Sequence, residues 1–345
     1  MTVITGRHPH VFGRARPSHQ GQYPIHTAPE RDTHFRDLPP PTGSAPFHLD
    51  LREIIPHDNY QAIVDKKKLT FHLNGDMGGI EFSVPQELVA KGMEADFNLQ
   101  ADASENPAFL YITGDCVYFN GGVQEYYKQF YQPYEFYRAA QCLLDPTDTA
   151  GKHRWLYSNV PAGGDIRSPQ TEWLINELRT LPTEVPLLIA LHHPVYSADD
   201  HHSGSTYMKD ALEHAAQQAG RHPEMILAGH VHDYQRLTKN MAGDVKVPYL
   251  VVGAGGYHNL HTIMKVDGQR MVPPVVFDDK QGDPVTLERY SDDHHGFLRM
   301  EITDQLVVGR YYEVPRPQEP YSKGNQLLEY FEFDWRNRRY LPNTL

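Results

Sequence analysis

Four apolar stretches of this chain each run straight into a turn bearing a metal-binding type of side chain. No other feature narrows the possible folds as much. Residues 69–74 lead into Gly75-Asp76-Met77-Gly78-Gly79, and residues 108–113 lead into Gly114-Asp115-Cys116-Val117-Tyr118. Residues 185–191 lead into His192-His193-Pro194, and residues 224–228 into Gly229-His230-Val231-His232. Short β-rich runs closed by turn signals read as strands. In open α/β sheets, ligands bind just beyond the carboxyl ends of the strands. Strand ends delivering Asp, Asp, His and His-x-His therefore predict a single shared site. Two histidines one residue apart can turn both rings toward one point, and neutral imidazole is the commonest metal ligand.

From Lys68 onward apolar strands alternate with helix-like segments, which predicts a layered α/β domain. Ser168-Pro169 reads as the cap and first turn of a helix carrying Leu174, Leu178 and Leu181 on one face. A further helix follows Ser205, with Met208, Leu212, Ala215 and Ala219 on one stripe and Gly220 as its stop. Residues 122–141 are aromatic-rich and predicted to be helical in part. After Gly253-Ala254-Gly255-Gly256 the chain turns strand-rich, over 297–302, 306–314 and 327–335. That glycine run does not complete Gly-x-Gly-x-x-Gly and reads as a turn beside the cleft, not a dinucleotide site. Residues 1–60, with Pro39-Pro40-Pro41 in their midst, have little to bury and are expected to form a flexible Pro/His-rich arm. Residues 61–345 are expected to form one large domain.

A formal net charge of −12 argues against nucleic acid or an anionic membrane surface as partner. No apolar run approaches the ~20 residues of a membrane helix, and no apolar region follows the basic N-terminus as in a secretory signal. With only Cys116 and Cys142, a disulfide scaffold is excluded and a reducing compartment is compatible, so the expected location is cytoplasmic. The oligomeric state is not legible. Asp292-Asp293-His294-His295 resembles a ligand set but reads as a polar hairpin between late strands.

The order of the four motifs resembles the calcineurin-like metallophosphoesterase family, in particular its purple acid phosphatase branch. The matching segments are residues 75–78, 114–118, 192–197 and 229–236, spanning about half the chain. The resemblance implies an α/β/β/α sandwich with mixed sheets. It also implies hydrolysis of small-molecule phosphate esters at a binuclear centre of divalent or mixed-valence ions (Fe, Zn or Mn) that activates a hydroxide. Carried over position by position, Asp76 and His232 would serve the first metal, Asp115 would bridge, and His192 with His230 would hold the second. Where many relatives have a histidine two residues after the first Asp, this chain has Gly78, and Tyr118 stands where the purple branch uses a tyrosinate. His202 resembles the substrate-facing histidine that would protonate the leaving group, with His201 as its neighbouring rival. His193 is expected to face away from the metals.

The sequence departs from the family in one respect: no Gly-Asn-His turn occurs anywhere. The fold is therefore expected to lack a strand and loop segment near residues 141–156, and the second metal to bind weakly. Asn120 and Asn159 are conceivable substitutes. A catalytically impaired metal-binding or interaction protein derived from such an enzyme is the alternative reading.

Overall fold

The apolar runs form strands. The computed structural model describes residues 2–5, 49–118, 125–139, 169–278 and 282–342. Its first half contains β1 (Thr2–Thr5), α1 (His57–Lys66), β2 (Lys68–Asn74), α2 (Val84–Glu94), β3 (Leu110–Ile112) and α3 (Phe136–Ala139). Next come α4 (Pro169–Thr180), β4 (Leu188–Ala190), α5 (Thr206–Ala219), β5 (Met225–Ala228), β6 (Tyr234–Met241) and β7 (Val245–Val252). The remainder is mostly strand: β8 (Lys265–Val266), β9 (Gln269–Arg270), β10 (Val275–Asp278), β11 (Val285–Ser291) and β12 (Gly296–Thr303). After these follow β13 (Leu306–Glu313), β14 (Gln326–Asp334) and β15 (Arg339–Tyr340).

Two mixed sheets stack face to face. One has the order β1-β10-β11-β6-β7-β5-β4 and the other β15-β14-β13-β12-β2-β3. Alternation along the strands explains the layering, because successive side chains of a strand point to opposite faces. In β12, Leu298 and Met300 join Phe71, Leu73, Leu227 and Phe331 between the sheets, while Phe297 faces outward. There it meets Val89, Ala90 and Met93 of α2. On the far side, Met208 and Leu212 of α5 cover Leu237 and Val247, and Ile175 and Leu178 of α4 pack on Ala215. The result is an α/β/β/α sandwich with mixed sheets.

The helix signals act as their chemistry predicts. Pro169 opens α4, and Ser205 caps α5 by accepting from Met208 N at 3.3 Å. Gly220, at φ 68°, ends α5 in the left-handed region that glycine tolerates. The aromatic stretch contains a π-helical turn over Tyr127–Tyr131 before α3. Strand β1 lies parallel to β10 at one edge of the larger sheet, and α1 runs across position 60. The residues on either side of the expected missing segment, 140–168, lie outside the described residues.

Two features were not legible in sequence. One is the β6–β7 hairpin, which continues the His-x-His turn as an antiparallel pair. The other corrects the hairpin expected at 292–295. Strand β11 pairs in one sheet and β12 in the other, so this turn crosses between layers. Between the sheets, Arg236 of β6 bonds Glu329 of β14 at 2.7 Å, with Glu329 fully buried, and Tyr234 stacks on Tyr311. Removing one partner of such a buried pair costs about 3–5 kcal/mol, so the bridge holds β6 in register with the opposite layer. Among the described residues no helix is long and apolar enough to cross a membrane.

Candidate metal centre

The parallel pair β2–β3 in one sheet and the parallel set β4–β5–β7 in the other end at the same edge of the sandwich. At three of these ends the backbone turns left-handed at a non-glycine residue: Asp76 (φ 56°), Asp115 (φ 47°) and His230 (φ 69°). Such conformations are uncommon for residues with a side chain, and they cluster where a site over-determines them. Each follows a glycine. At Gly114, whose φ is 125°, a Cβ would lie 2.3 Å from His192 Nδ1, so only glycine lets the two sheets close here.

The two sheets are tied through the site itself. His230 N donates to Asp76 Oδ2 at 2.7 Å, and Tyr118 OH donates to Asp76 Oδ1 at 3.1 Å. His192 Nδ1 donates to the Thr113 carbonyl at 3.0 Å, leaving Nε2 3.5 Å from Asp115 Oδ1. His232 Nδ1 donates to Asn259 O at 2.9 Å and presents Nε2 3.6 Å from Asp76 Oδ1. Asp76, Asp115 and His192 each offer a ligand atom within 4.8 Å of the others. Asp76 is fully buried, whereas the Asp115 side chain is 46% exposed and opens the cluster to solvent.

A wall of imidazoles continues from this cluster. The His230 ring lies 5.1 Å from His192, 4.1 Å from His193 and 4.5 Å from His202, so His193 packs on a site residue. His202 N donates to Asp199 Oδ2 at 2.7 Å, while His201 pairs with Asp200 and is largely exposed. The sequence reading did not single out His261. It is buried, donates from Nδ1 to Asp199 Oδ2 at 3.2 Å, and stacks between His232 (4.5 Å) and His201 (5.0 Å). Its signal was its place five residues after Gly256, in the turn expected to pack beside the cleft. That turn does so, with Gly255 N on Gly75 O (3.1 Å) and Tyr257 N on Asp76 O (2.9 Å). Asp199, Tyr257 and Gln129 were likewise missed; each is a common residue type whose partner in the site lies well away in sequence.

The charges are arranged for a cation. Burial opposes protonation of His192, but hydrogen bonding to Asp115 and the Asp76 charge prevail and raise it to about 9. Burial also opposes protonation of His232, and Asp76 outweighs it in the same way. The Asp115 carboxyl is held below its usual range, burial being overcome by His192 and His232. Burial, then the imidazoles of His193, His192 and His202, hold His230 well below its ordinary value, so it stands neutral with a lone pair to offer. Burial and the Asp76 and Asp115 charges raise the Tyr118 phenol, which stays protonated against Asp76. The carboxylates of Asp76 and Asp115 thus favour the protonated form of His192 and of His232. Metal binding releases protons from its ligands, and this donor set of carboxylates and imidazoles suits zinc, iron or manganese.

The structure brings Asp76, Asp115, Tyr118, His192, His230, His232 and His202 together at one edge, with His201 on its rim. Asn120 and Asn159 lie outside the described residues. Cys116 is partly buried, and burial first among causes pushes its thiol up to about 11, far from a nucleophile's range.

No protein family matches the chain at the level of sequence, and no curated protein matches it. Two of the solved structures that resemble this chain are GAP50 and PhoD. GAP50, described as the anchor in the inner membrane complex of Plasmodium, is 14% identical over 77% of this chain and 89% of its own, with a TM-score of 0.49. PhoD is 13% identical over 81% of this chain and 72% of its own, with a TM-score of 0.43.

Proposed function

We propose that this chain is a metal-dependent hydrolase of small-molecule phosphate esters. The observation that carries the reading is the meeting of Asp76, Asp115, His192, His230 and His232 from separate strand ends around one partly open carboxylate. Asp76, His232 and Tyr118 would hold one ion, His192 and His230 a second, with Asp115 between them. When bound, the ions would supply charge neutralisation for phosphate oxygens and a nucleophile at neutral pH. The chain's own part is to orient and to move a proton. As the bond from phosphorus to the leaving oxygen breaks, His202 gives its proton to that oxygen, and His201 is its rival for this step. Asp199 sets the His202 backbone through its 2.7 Å bond and so aims the ring across His230.

Elemental analysis of the unsupplemented protein, followed by assay of phosphate monoesters and diesters with and without added zinc, iron and manganese, tests the reading. One tightly held ion, a second that fills only as metal is added, and metal-dependent turnover are expected. Bound metal with no turnover on any ester would favour the second reading, a metal-binding or interaction protein of the same ancestry. The absence of any Gly-Asn-His turn from the sequence is the observation behind that alternative.

A further inference from the structure

Tyr118 sits where no sheet holds it. Strand β3 ends at Ile112, and Tyr118 belongs to the turn that follows. Its main chain is instead read by one side chain. Gln129 accepts from Tyr118 N through Oε1 at 3.0 Å and donates from Nε2 to Tyr118 O at 3.2 Å, as a neighbouring strand would. Nε2 also reaches Glu125 Oε2 at 3.3 Å. Gln129 is buried at 3% exposure, within the π-helical turn, a local widening of the helix often found at functional sites.

The glutamine is itself fixed. Gln86 of α2, fully buried, donates to the Gln129 carbonyl and accepts from Gly79 N at 3.0 Å. Gln86 therefore joins the turn after Asp76 to the turn carrying Gln129. Gly78 completes the packing, since a Cβ there would lie 2.5 Å from Tyr118 Cδ2 and 2.9 Å from Gln129 Oε1. A side chain at 78 and the Tyr118 ring cannot share this space. The absence of a histidine at 78 and the presence of Tyr118 are thus one packing decision.

We infer that Gln129, supported by Gln86, is a positioning residue that holds the Tyr118 phenol against Asp76 in the metal centre. This rests on the reading of Tyr118 as a metal-facing group. A glutamine with both ends of its amide committed to one neighbour's backbone fixes that neighbour's position along and across the chain. An apolar residue of the same size would fill the space without doing so. Losing the two bonds from Gln129 to the Tyr118 N–H and C=O would let the turn shift.

The test compares Gln129→Met, Gln129→Glu and Tyr118→Phe in two measurements. In the metal-free full-length chain, hydrogen exchange at the Tyr118 amide should speed up about 3–10-fold in Gln129→Met, as expected for one lost hydrogen bond, with the melting temperature little changed. Gln129→Glu keeps the acceptor for Tyr118 N and loses the donor to its carbonyl, so it should fall between. In chains loaded with ferric iron, the visible tyrosinate absorption should vanish in Tyr118→Phe. In Gln129→Met it should weaken and move while iron content stays at the wild-type level. Unchanged exchange, or an unchanged band beside faster exchange, overturns the positioning role. An iron-loaded wild type without the band overturns the tyrosinate reading instead, and the clamp then stands or falls on the exchange result.

Discussion

The tetrapeptide Asp-Asp-His-His occurs twice, at 199–202 and at 292–295, and the two copies do different things. In the first, Asp199 is fully buried, and its Oδ2 accepts from His202 N and His261 Nδ1. His202 then lies over His230. In the second, the acids are neutralised by arginines. Asp292 accepts from Arg270 at 2.6 Å and Asp293 from Arg316 at 2.7 Å, while Arg316 also reaches His294 at 3.1 Å. His295 points inward and bonds the Tyr257 carbonyl at 2.9 Å. Asp293, His294 and Glu313 come as close together as the strand-end cluster does. The lesson is that proximity of ligand types does not make a metal centre. A carboxylate paired with guanidinium is already neutralised, whereas the side chains that Asp76 and Asp115 meet among the described residues are imidazoles and a phenol, whose protons a metal can replace.

The largest expected contrast between the copies is catalytic. His202→Ala should slow esters with poor leaving groups by roughly 10²–10⁴-fold and activated aryl esters far less, while His294→Ala should leave both rates near wild type. Steady-state kinetics on a matched pair of esters reads this, and equal slowing of the pair would reassign His202 to phosphate binding. Metal affinity should separate the two clusters next. Asp115→Asn should lose at least the 10–100-fold typical of a disturbed metal environment, against no change for Asp293→Asn, as judged by titration calorimetry with zinc or manganese. Equal losses would mean that guanidinium pairing does not separate the two clusters.

Acid stability should distinguish the second copy. Burial lowers His295 to about 4, below the ordinary 6.5, so the unfolded chain binds the proton more readily. Above pH 6.5 His295 costs nothing. As pH falls from 6.5 to 4 stability should drop by about 3 kcal/mol and then level off. In denaturant titrations of the metal-free protein, His295→Asn should flatten that slope, whereas His294→Asn should not. The smallest effect is expected at the exposed pair: Asp293→Asn should change stability by less than about 1 kcal/mol, as solvated ion pairs do.

Much of this was legible from residues alone. The four apolar runs, their glycine or histidine turns, the Ser205 cap and the Gly220 stop express local preferences: burial of β-rich stretches, side-chain capping, left-handed backbone. Short range is enough for those. The candidate ligands were legible for the same reason, because each sits where a strand signal gives way to a turn signal. His261, Asp199, Gln129 and Gln86 were not, since each acts on a group far away in sequence; Gln86 and Gln129 are joined to each other across 43 positions. The β6–β7 hairpin also escaped notice, because Tyr234, Gln235, Arg236 and Thr238 do not look like buried residues. They are buried because Glu329, on the opposite sheet, supplies Arg236 and Tyr234 with partners. By itself the sequence determined the strands and helices that lead into the site, their order and the residue types at the strand ends. The stacking of two sheets decided which of two identical tetrapeptides faces the cleft, and which carboxylates meet arginine. Charge pairing depends on distances of a few ångströms between segments that local propensity does not relate.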